Sequence, residues 1–144
     1  MNPLRNFLVA AASCLVLAAP FASQAHHSAS AEFDTTNNKV LTGVLTRVEL
    51  INPHSYMHFD VKNAQGQTES WSFETVAPAA LKLMGIAVRD TFKVGETYKL
   101  VFSPARSKAA GHVGLLSSIV LPDGRMVAFS AKNNIDASRE LTKK

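Results

Sequence analysis

Apolar and polar residues alternate along most of residues 40–130, with the period of two that is typical of half-buried β-strands. The clearest stretch is residues 40–51 (VLTGVLTRVELI), which ends at Asn52-Pro53 and carries a glycine, Gly43, where we expect a kink. The same pattern predicts further strands at residues 55–62, 67–75, 96–103, 114–121 and 125–130. Turn residues at 63–66 and 122–124 separate neighbouring strands.

The period changes between the third and fourth predicted strands. Residues 77–85 (APAALKLMG) predict one short helix, with Pro78 in its first turn and Gly85 just beyond its end. Three strands, one short helix and two or three further strands form the order of a small Greek-key barrel of the OB type. A two-sheet β-sandwich is the alternative, and the position of the helix favours the barrel.

The N-terminus has a different pattern, since residues 7–19 (FLVAAASCLVLAA) are almost continuously apolar. Arg5 precedes this run, and Ser23 and Ala25 supply small residues at positions −3 and −1 of a cleavage site. The run is about 13 residues long, whereas a membrane-spanning helix needs roughly 20. We therefore expect residues 1–25 to be a cleaved secretory signal, and the mature protein to be periplasmic or secreted without a stable membrane span.

Cys14 is the single cysteine of the chain and lies inside this apolar run. Cleavage just before it would produce a lipoprotein, but residues 15–19 would then remain as an apolar start of the mature chain, so we favour the cut after Ala25. The mature chain would have no cysteine, so burial alone must stabilise it. Its 119 residues suit one compact domain, which we place at residues 26–130, followed by a polar tail at 131–144.

The charge of the chain says little about its partners. Removal of the signal takes away one basic residue, Arg5, and no acid, so the formal net charge falls from +4 to +3. The charges are scattered, and the sequence contains no arginine-rich run, glycine-rich phosphate loop, His-Glu-x-x-His motif or cysteine cluster. These features disfavour a nucleic-acid partner and leave a metal ion, a small ligand or another envelope protein.

All five histidines follow the predicted signal, and His26 and His27 would begin the mature chain. A free α-amine and the imidazole of His26 can chelate one metal ion, and nitrogen ligands of this kind favour copper(II), with nickel and zinc behind. We predict copper(II) held by His26, with His27 and His54 assisting. The alternatives are an ordinary terminus with two uninvolved histidines and, for His54, a loop residue whose ring hydrogen-bonds to a turn.

The two remaining histidines are weaker candidate ligands. His58 lies four residues after His54, and residues four apart on a strand are about 13 Å apart, so one of the two is a better ligand than both. We expect His58 to be half-buried on the second strand and His112 to be solvated in a loop.

A metal-independent function is the second hypothesis. Small barrels bind ligands on an exposed sheet face or in the barrel mouth, and Tyr56, Trp71 and Glu74 lie on the second and third predicted strands. A small molecule, a glycan or an envelope protein would then bind around Tyr56 and Trp71, unless Trp71 is simply a core residue. Catalysis is disfavoured because no nucleophile has a matching base, although a buried Glu74 beside His54 would favour an enzyme.

Several short motifs accompany these candidates: His26-His27-Ser28, Glu32-Phe33-Asp34, residues 41–49, Asn52-Pro53-His54, Trp71-Ser72-Phe73-Glu74 and Leu121-Pro122-Asp123-Gly124-Arg125. Together they resemble a family of small exported bacterial proteins that is catalogued as a domain of unknown function, number 6152. The resemblance implies an exported protein and a role for Asn52, His54, Trp71 and Glu74, but it assigns no activity. The chain departs from the family's pattern at Ala29, where an aromatic residue is expected.

Overall fold

The computed structural model describes residues 29–129. The predicted signal, His26, His27 and the polar tail lie outside this range. Six strands are present in it: β1 (Lys39–Glu49), β2 (Tyr56–Lys62), β3 (Thr68–Glu74), β4 (Thr97–Pro104), β5 (Val113–Val120) and β6 (Met126–Ala128). Three short α-helices accompany them, α1 (Ala29–Glu32), α2 (Pro78–Leu83) and α3 (Val88–Thr91), together with a 3-10 turn at Lys108–Ala110.

Five of the strands close into a barrel. β1 pairs antiparallel with both β2 and β4, while β3 pairs with β2 and β5 pairs with β4. A parallel pairing of β3 with β5, centred on Phe73 and Gly114, completes the closure. β6 extends the sheet from the other side of β5. This mixed barrel, with helices between β3 and β4, confirms the predicted OB-like architecture over the β-sandwich.

Two local expectations were wrong. Helix α2 lies where the single helix was predicted. However, α3 is the next element after α2, and α1 precedes β1, so the described residues contain more than one short helix. Gly43 pairs regularly, and the irregularity in β1 falls at Thr46, which leaves both Thr46 and Arg47 exposed. Gly43 instead permits a close approach of strands, because a Cβ there would lie 2.9 Å from Val61 Cγ2.

The core lies inside the barrel and is rich in aromatic side chains. Phe59 is fully buried and packs edge-on against Phe73 and Tyr98, with ring centroids 5.8 and 6.2 Å apart. Leu81 of α2 and Phe92, just after α3, join the same cluster. Because the described residues contain no cysteine, burial of this kind, worth about 1.5–3 kcal/mol per large side chain, stabilises the domain.

Residues 29–129 include no helix that is both long and apolar enough to cross a membrane.

Candidate ligand-binding cleft

A cleft of about 420 Å³ opens where α1 meets the β1–β2 loop and the adjoining ends of β2 and β3. Its polar side chains are those of Glu32, His54, Tyr56, Glu74 and Thr75. The rest of the wall is mainly apolar, and it includes Phe33, Val76, Leu116 and Phe129. A few polar groups converging in an apolar cleft of this size are typical of a small-ligand site.

The β2–β3 hairpin positions the polar residues. Tyr56 lies directly opposite Glu74 in the antiparallel register. The pairing continues one step further, because Thr75 N donates to Ser55 O at 2.9 Å and Ser55 N donates to Val76 O at 3.2 Å. This extension holds the end of the β1–β2 loop against the end of β3, so His54 lies beside Glu74.

His54, Glu74 and Tyr56 form a connected group. His54 Nδ1 lies 2.5 Å from Glu74 Oε1, and the Tyr56 hydroxyl donates to Glu74 Oε2 at 3.3 Å. The side chain of Glu74 is 13% exposed, whereas that of His54 is 47% exposed. A neutral imidazole that donates from Nδ1 keeps a lone pair on Nε2, and no residue in 29–129 hydrogen-bonds to that atom. His54 therefore has one nitrogen held by Glu74 and one available to a ligand.

Burial and nearby carboxylates both raise the pKa of Tyr56. Burial raises the pKa of Tyr56, and the negative charge of Glu74 raises it further. The more distant carboxylates of Glu32 and Glu49 act in the same direction. A tyrosine hydroxyl is protonated at neutral pH, and the raised pKa lets Tyr56 keep donating to Glu74 at more alkaline pH.

Two buried hydroxyls flank this group. Ser55 is fully buried and Thr75 is 3% exposed, and neither Ser55 Oγ nor Thr75 Oγ1 has a hydrogen-bond partner in the described part of the chain. An unpaired buried hydroxyl lowers stability by about 1–3 kcal/mol. Such groups call for an explanation, and of the two only Thr75 lines the cleft.

Helix α1 is held next to the cleft by hydrogen bonds and a β-bridge. Arg106 N donates to Glu32 O and Arg106 Nε donates to Ser30 O, each at 2.8 Å. Phe33 forms an isolated antiparallel bridge with Ala105. Ala29, the first residue that the structure describes, lies in the wall of the cleft that holds His54.

Comparison with known families agrees with the motifs in the sequence. A family model described as a family of unknown function, DUF6152, matches residues 13–114, which is more than half of the chain. The chain belongs to this family. The match includes every candidate ligand named above, but DUF6152 carries no assigned activity. No curated protein matches the chain.

Trp71 of this DUF6152 protein faces the barrel interior and is separated from Tyr56. Its ring stacks on Phe73 at a centroid distance of 5.6 Å and meets Phe102 edge-on at 5.4 Å. Tyr56 lies on the outer side of the sheet, where alternate residues of β2 are half-buried. The structure therefore brings Tyr56 together with Glu74 and His54, but it does not bring Trp71 to the same surface.

His58 lies on the outer side of β2, half-buried as expected. His58 Nε2 is 3.3 Å from Arg47 Nη2 and 3.6 Å from Glu49 Oε1. Its side chain is 21% exposed, and Arg47 and Glu49 already contact its Nε2. His58 therefore remains separate from the His54 group.

His112 is exposed in the loop before β5, as expected, although one face of its ring is covered. Its ring stacks on Trp71 at 4.8 Å, and its Nε2 lies 3.5 Å from Glu69 Oε2. The hydrogen bond that Asn63 Nδ2 donates to Glu69 Oε1 lowers the pKa of Glu69. Among residues 29–129 of this DUF6152 chain, no three histidine or acidic side chains form a group that could hold a metal ion.

Glu32 and Thr75 are two polar cleft residues that sequence reasoning missed. Glu32 belongs to the Glu32-Phe33-Asp34 motif, which was noted without a role. Sequence reasoning also missed that Tyr56 pairs with Glu74, although the position of the hairpin turn is enough to predict this pairing. Gly66 has a φ of 77°, and Asn63 N donates to Gln67 O at 2.9 Å, so counting outward from this turn places residue 56 opposite residue 74.

Proposed function

We propose that this protein is an exported, non-catalytic binding protein that holds one copper(II) ion through the mature N-terminal residues His26 and His27 together with His54. One observation carries the proposal: His54 is oriented by a nearly buried carboxylate, Glu74, in the same cleft whose wall begins with Ala29.

The pairing with Glu74 supports His54 as a metal ligand. A histidine that binds a metal through one ring nitrogen usually donates its other N–H to a carboxylate or carbonyl, which sets the tautomer and raises the basicity of the ligand. In His54 the Nδ1–H is directed to Glu74 Oε1, so Nε2 is the ligand atom. Tyr56 holds the other oxygen of that carboxylate in place.

The length of the chain supports the involvement of His26 and His27. Consecutive Cα atoms are about 3.8 Å apart, so the Cα of His27 lies within about 8 Å of that of Ala29, and the Cα of His26 within about 11 Å. An α-amine and imidazole nitrogens are ligands for which copper(II) has the highest affinity among the common divalent ions. Since residues 29–129 by themselves offer no group of three ligands, the proposal depends on the residues before them.

A metal-independent ligand in the same cleft is the second candidate. The volume of about 420 Å³ and the apolar wall suit a small organic molecule, with Tyr56, Glu74 and Thr75 as its polar contacts. This version keeps Tyr56 and Glu74 from the sequence-based hypothesis and omits Trp71, whose ring is stacked on Phe73.

A catalytic role for the same pair has some support, because a histidine held by a buried carboxylate can act as a general base. However, no described serine, threonine or tyrosine hydroxyl is hydrogen-bonded to His54. We therefore retain a non-catalytic function.

The test starts from protein that is exported with its own signal sequence. The intact mass of the exported protein establishes whether His26 is the first residue of the mature chain. Copper(II) is then titrated calorimetrically in the presence of a competing chelator. We expect one ion per chain, and a fall in affinity of more than about 100-fold for His26→Ala and for His54→Ala, which exceeds the loss typical of an outer-shell residue.

His58→Ala is the matched control, since it removes a histidine from the outer surface of the same sheet. It should bind copper as tightly as the wild type. The proposal fails if His26→Ala or His54→Ala binds as tightly as His58→Ala. The proposal is also overturned if the mature chain begins at His26 but binds no copper. The metal-independent candidate would then remain.

A further inference from the structure

A second surface, which shares no residue with the cleft, combines apolar and basic side chains. Two adjoining shallow grooves of about 420 and 370 Å³ run along α2 and α3 and share Val88 and Arg89. Leu50 lines the first groove and is 48% exposed, and Val94 lines the second and is 65% exposed. Leu83, at the end of α2, is 89% exposed.

The charged side chains of this surface are mostly basic. The grooves are lined by three cations, Lys82, Arg89 and Lys93, and by one acid, Asp90. Lys93 Nζ donates to Arg89 O at 2.8 Å, which holds the lysine against α3. We call Leu50, Leu83, Val94, Lys82, Arg89 and Lys93 the basic-apolar patch.

Basic and apolar residues of the patch are neighbours along the chain. Lys82 precedes Leu83, and Lys93 precedes Val94. Single exposed apolar residues are ordinary, but several of them gathered around grooves and bordered by cations mark an interaction surface. At a lipid surface the apolar tips enter the acyl boundary while lysine and arginine reach the anionic headgroups.

We propose that the basic-apolar patch docks the protein peripherally onto an anionic lipid bilayer. The charge complementarity between three cations and anionic headgroups selects this occupant. The proposal is independent of copper binding, since the patch shares no residue with the cleft. The β1–β2 loop carries both Leu50 and His54, so docking would set the cleft beside the membrane.

The test uses the mature full chain and sedimentation with two kinds of vesicle, pure phosphatidylcholine and phosphatidylcholine containing phosphatidylglycerol. We expect binding to the anionic vesicles that weakens with salt. Each basic residue near an anionic surface contributes about fivefold to the partition constant, so K82Q/R89Q/K93Q should lower it about 100-fold. Leu83→Ser should lower it about tenfold, through lost apolar burial.

A matched variant separates the patch from net charge. K39Q/K99Q/K108Q removes the same charge from exposed lysines elsewhere. It should retain at least a tenth of the wild-type partition constant, and thermal unfolding verifies that each variant is folded. The proposal is overturned if both triple variants lose binding equally, if Leu83→Ser binds like the wild type, or if the protein does not prefer anionic vesicles. Binding to polyglutamate, a stand-in for an acidic protein, is measured in parallel. The proposal is likewise overturned if the patch variants keep vesicle binding and lose only polyglutamate binding, which would indicate an acidic protein partner.

Discussion

His54 Nδ1 lies 2.5 Å from Glu74 Oε1, although the whole of β2 and a hairpin turn separate the two residues in the chain. The Tyr56 hydroxyl occupies the other carboxylate oxygen, so Glu74 is held from two sides. Glu74 therefore acts as a positioning residue for the ring of His54, and its removal should affect ligand binding without removing a ligand atom.

Glu74→Gln should weaken copper binding by about 10–100-fold, because a neutral amide neither accepts as strongly nor raises the basicity of His54. Calorimetry measures the loss, and the electron paramagnetic resonance spectrum of bound copper should change as the ring reorients. Glu69→Gln is the control, since that carboxylate faces His112 instead. Equal affinity in Glu74→Gln and the wild type would contradict the assignment.

The ionisation of Tyr56 reports on the same contact. Burial and the Glu74 charge raise the pKa of Tyr56, so the protonated phenol is favoured in the folded state. Its contribution to stability is present below about pH 10 and is lost as the pH rises through the higher folded value. In Glu74→Gln the pKa of Tyr56 should fall towards its ordinary value, because the second of its two main causes is removed.

Isotope-labelled tyrosine Cζ signals measure this titration by nuclear magnetic resonance. The chain has two tyrosines, and burial also raises the pKa of Tyr98, whose hydroxyl contacts Lys93 and Glu96. Tyr98 thus serves as an internal control that Glu74→Gln should leave unchanged. A Tyr56 curve that does not move would show that Glu74 exerts no field on the phenol.

Gly114→Ala should destabilise the barrel at its parallel closure. An added Cβ would lie 2.5 Å from Phe102 Cδ2 and 3.1 Å from Phe73 Cδ1, and both rings are buried in the core. We expect a loss of about 1–3 kcal/mol in the free energy of unfolding by urea, as for other overpacked cores. Thr35→Ala, in an exposed turn, should stay within about 0.5 kcal/mol of the wild type. The packing argument fails if the two variants are equally stable.

His112→Ala should expose the single tryptophan of the chain. The His112 ring covers one face of Trp71 at 4.8 Å, so its removal admits water to that face. Trp71 emission should shift to longer wavelength and become more sensitive to a soluble quencher. His58→Ala should leave the emission unchanged, because His58 lies among Arg47 and Glu49 on the outer sheet surface. An unaltered spectrum in His112→Ala would mean that the stack does not persist in solution.

The strands could be predicted because their signal is local. Residues 40–51 and 55–62 alternate with a period of two, and the observed strands Lys39–Glu49 and Tyr56–Lys62 differ from them by one or two residues at their ends. Pro78 similarly indicated the start of α2. The order of strands and helix then predicted the barrel, because few topologies bury such a set of faces.

The partners of the candidate residues could be predicted less well. Alternation placed Trp71 and Phe73 on one face of β3, but it could not say whether that face was inside the barrel. The bulge at Thr46 has no strong local signal, whereas Gly43 resembles a kink and is instead a close strand contact. A glycine pattern alone does not distinguish these two uses.

The sequence by itself determined the strand positions and the connectivity of a small barrel. It also determined which histidines and acidic residues lie in loops and which lie at strand ends. These depend on periodicity, turn residues and short motifs, all of which act over a few residues. Only the tertiary structure decided that Glu74 meets His54, that Trp71 points inward and that α1 lines the cleft. The hairpin turn sets the β2–β3 register, but these contacts also need the extension of that pairing to Ser55, the parallel β3–β5 closure and the Arg106 contacts to α1. These features join distant segments, and no local pattern encodes them.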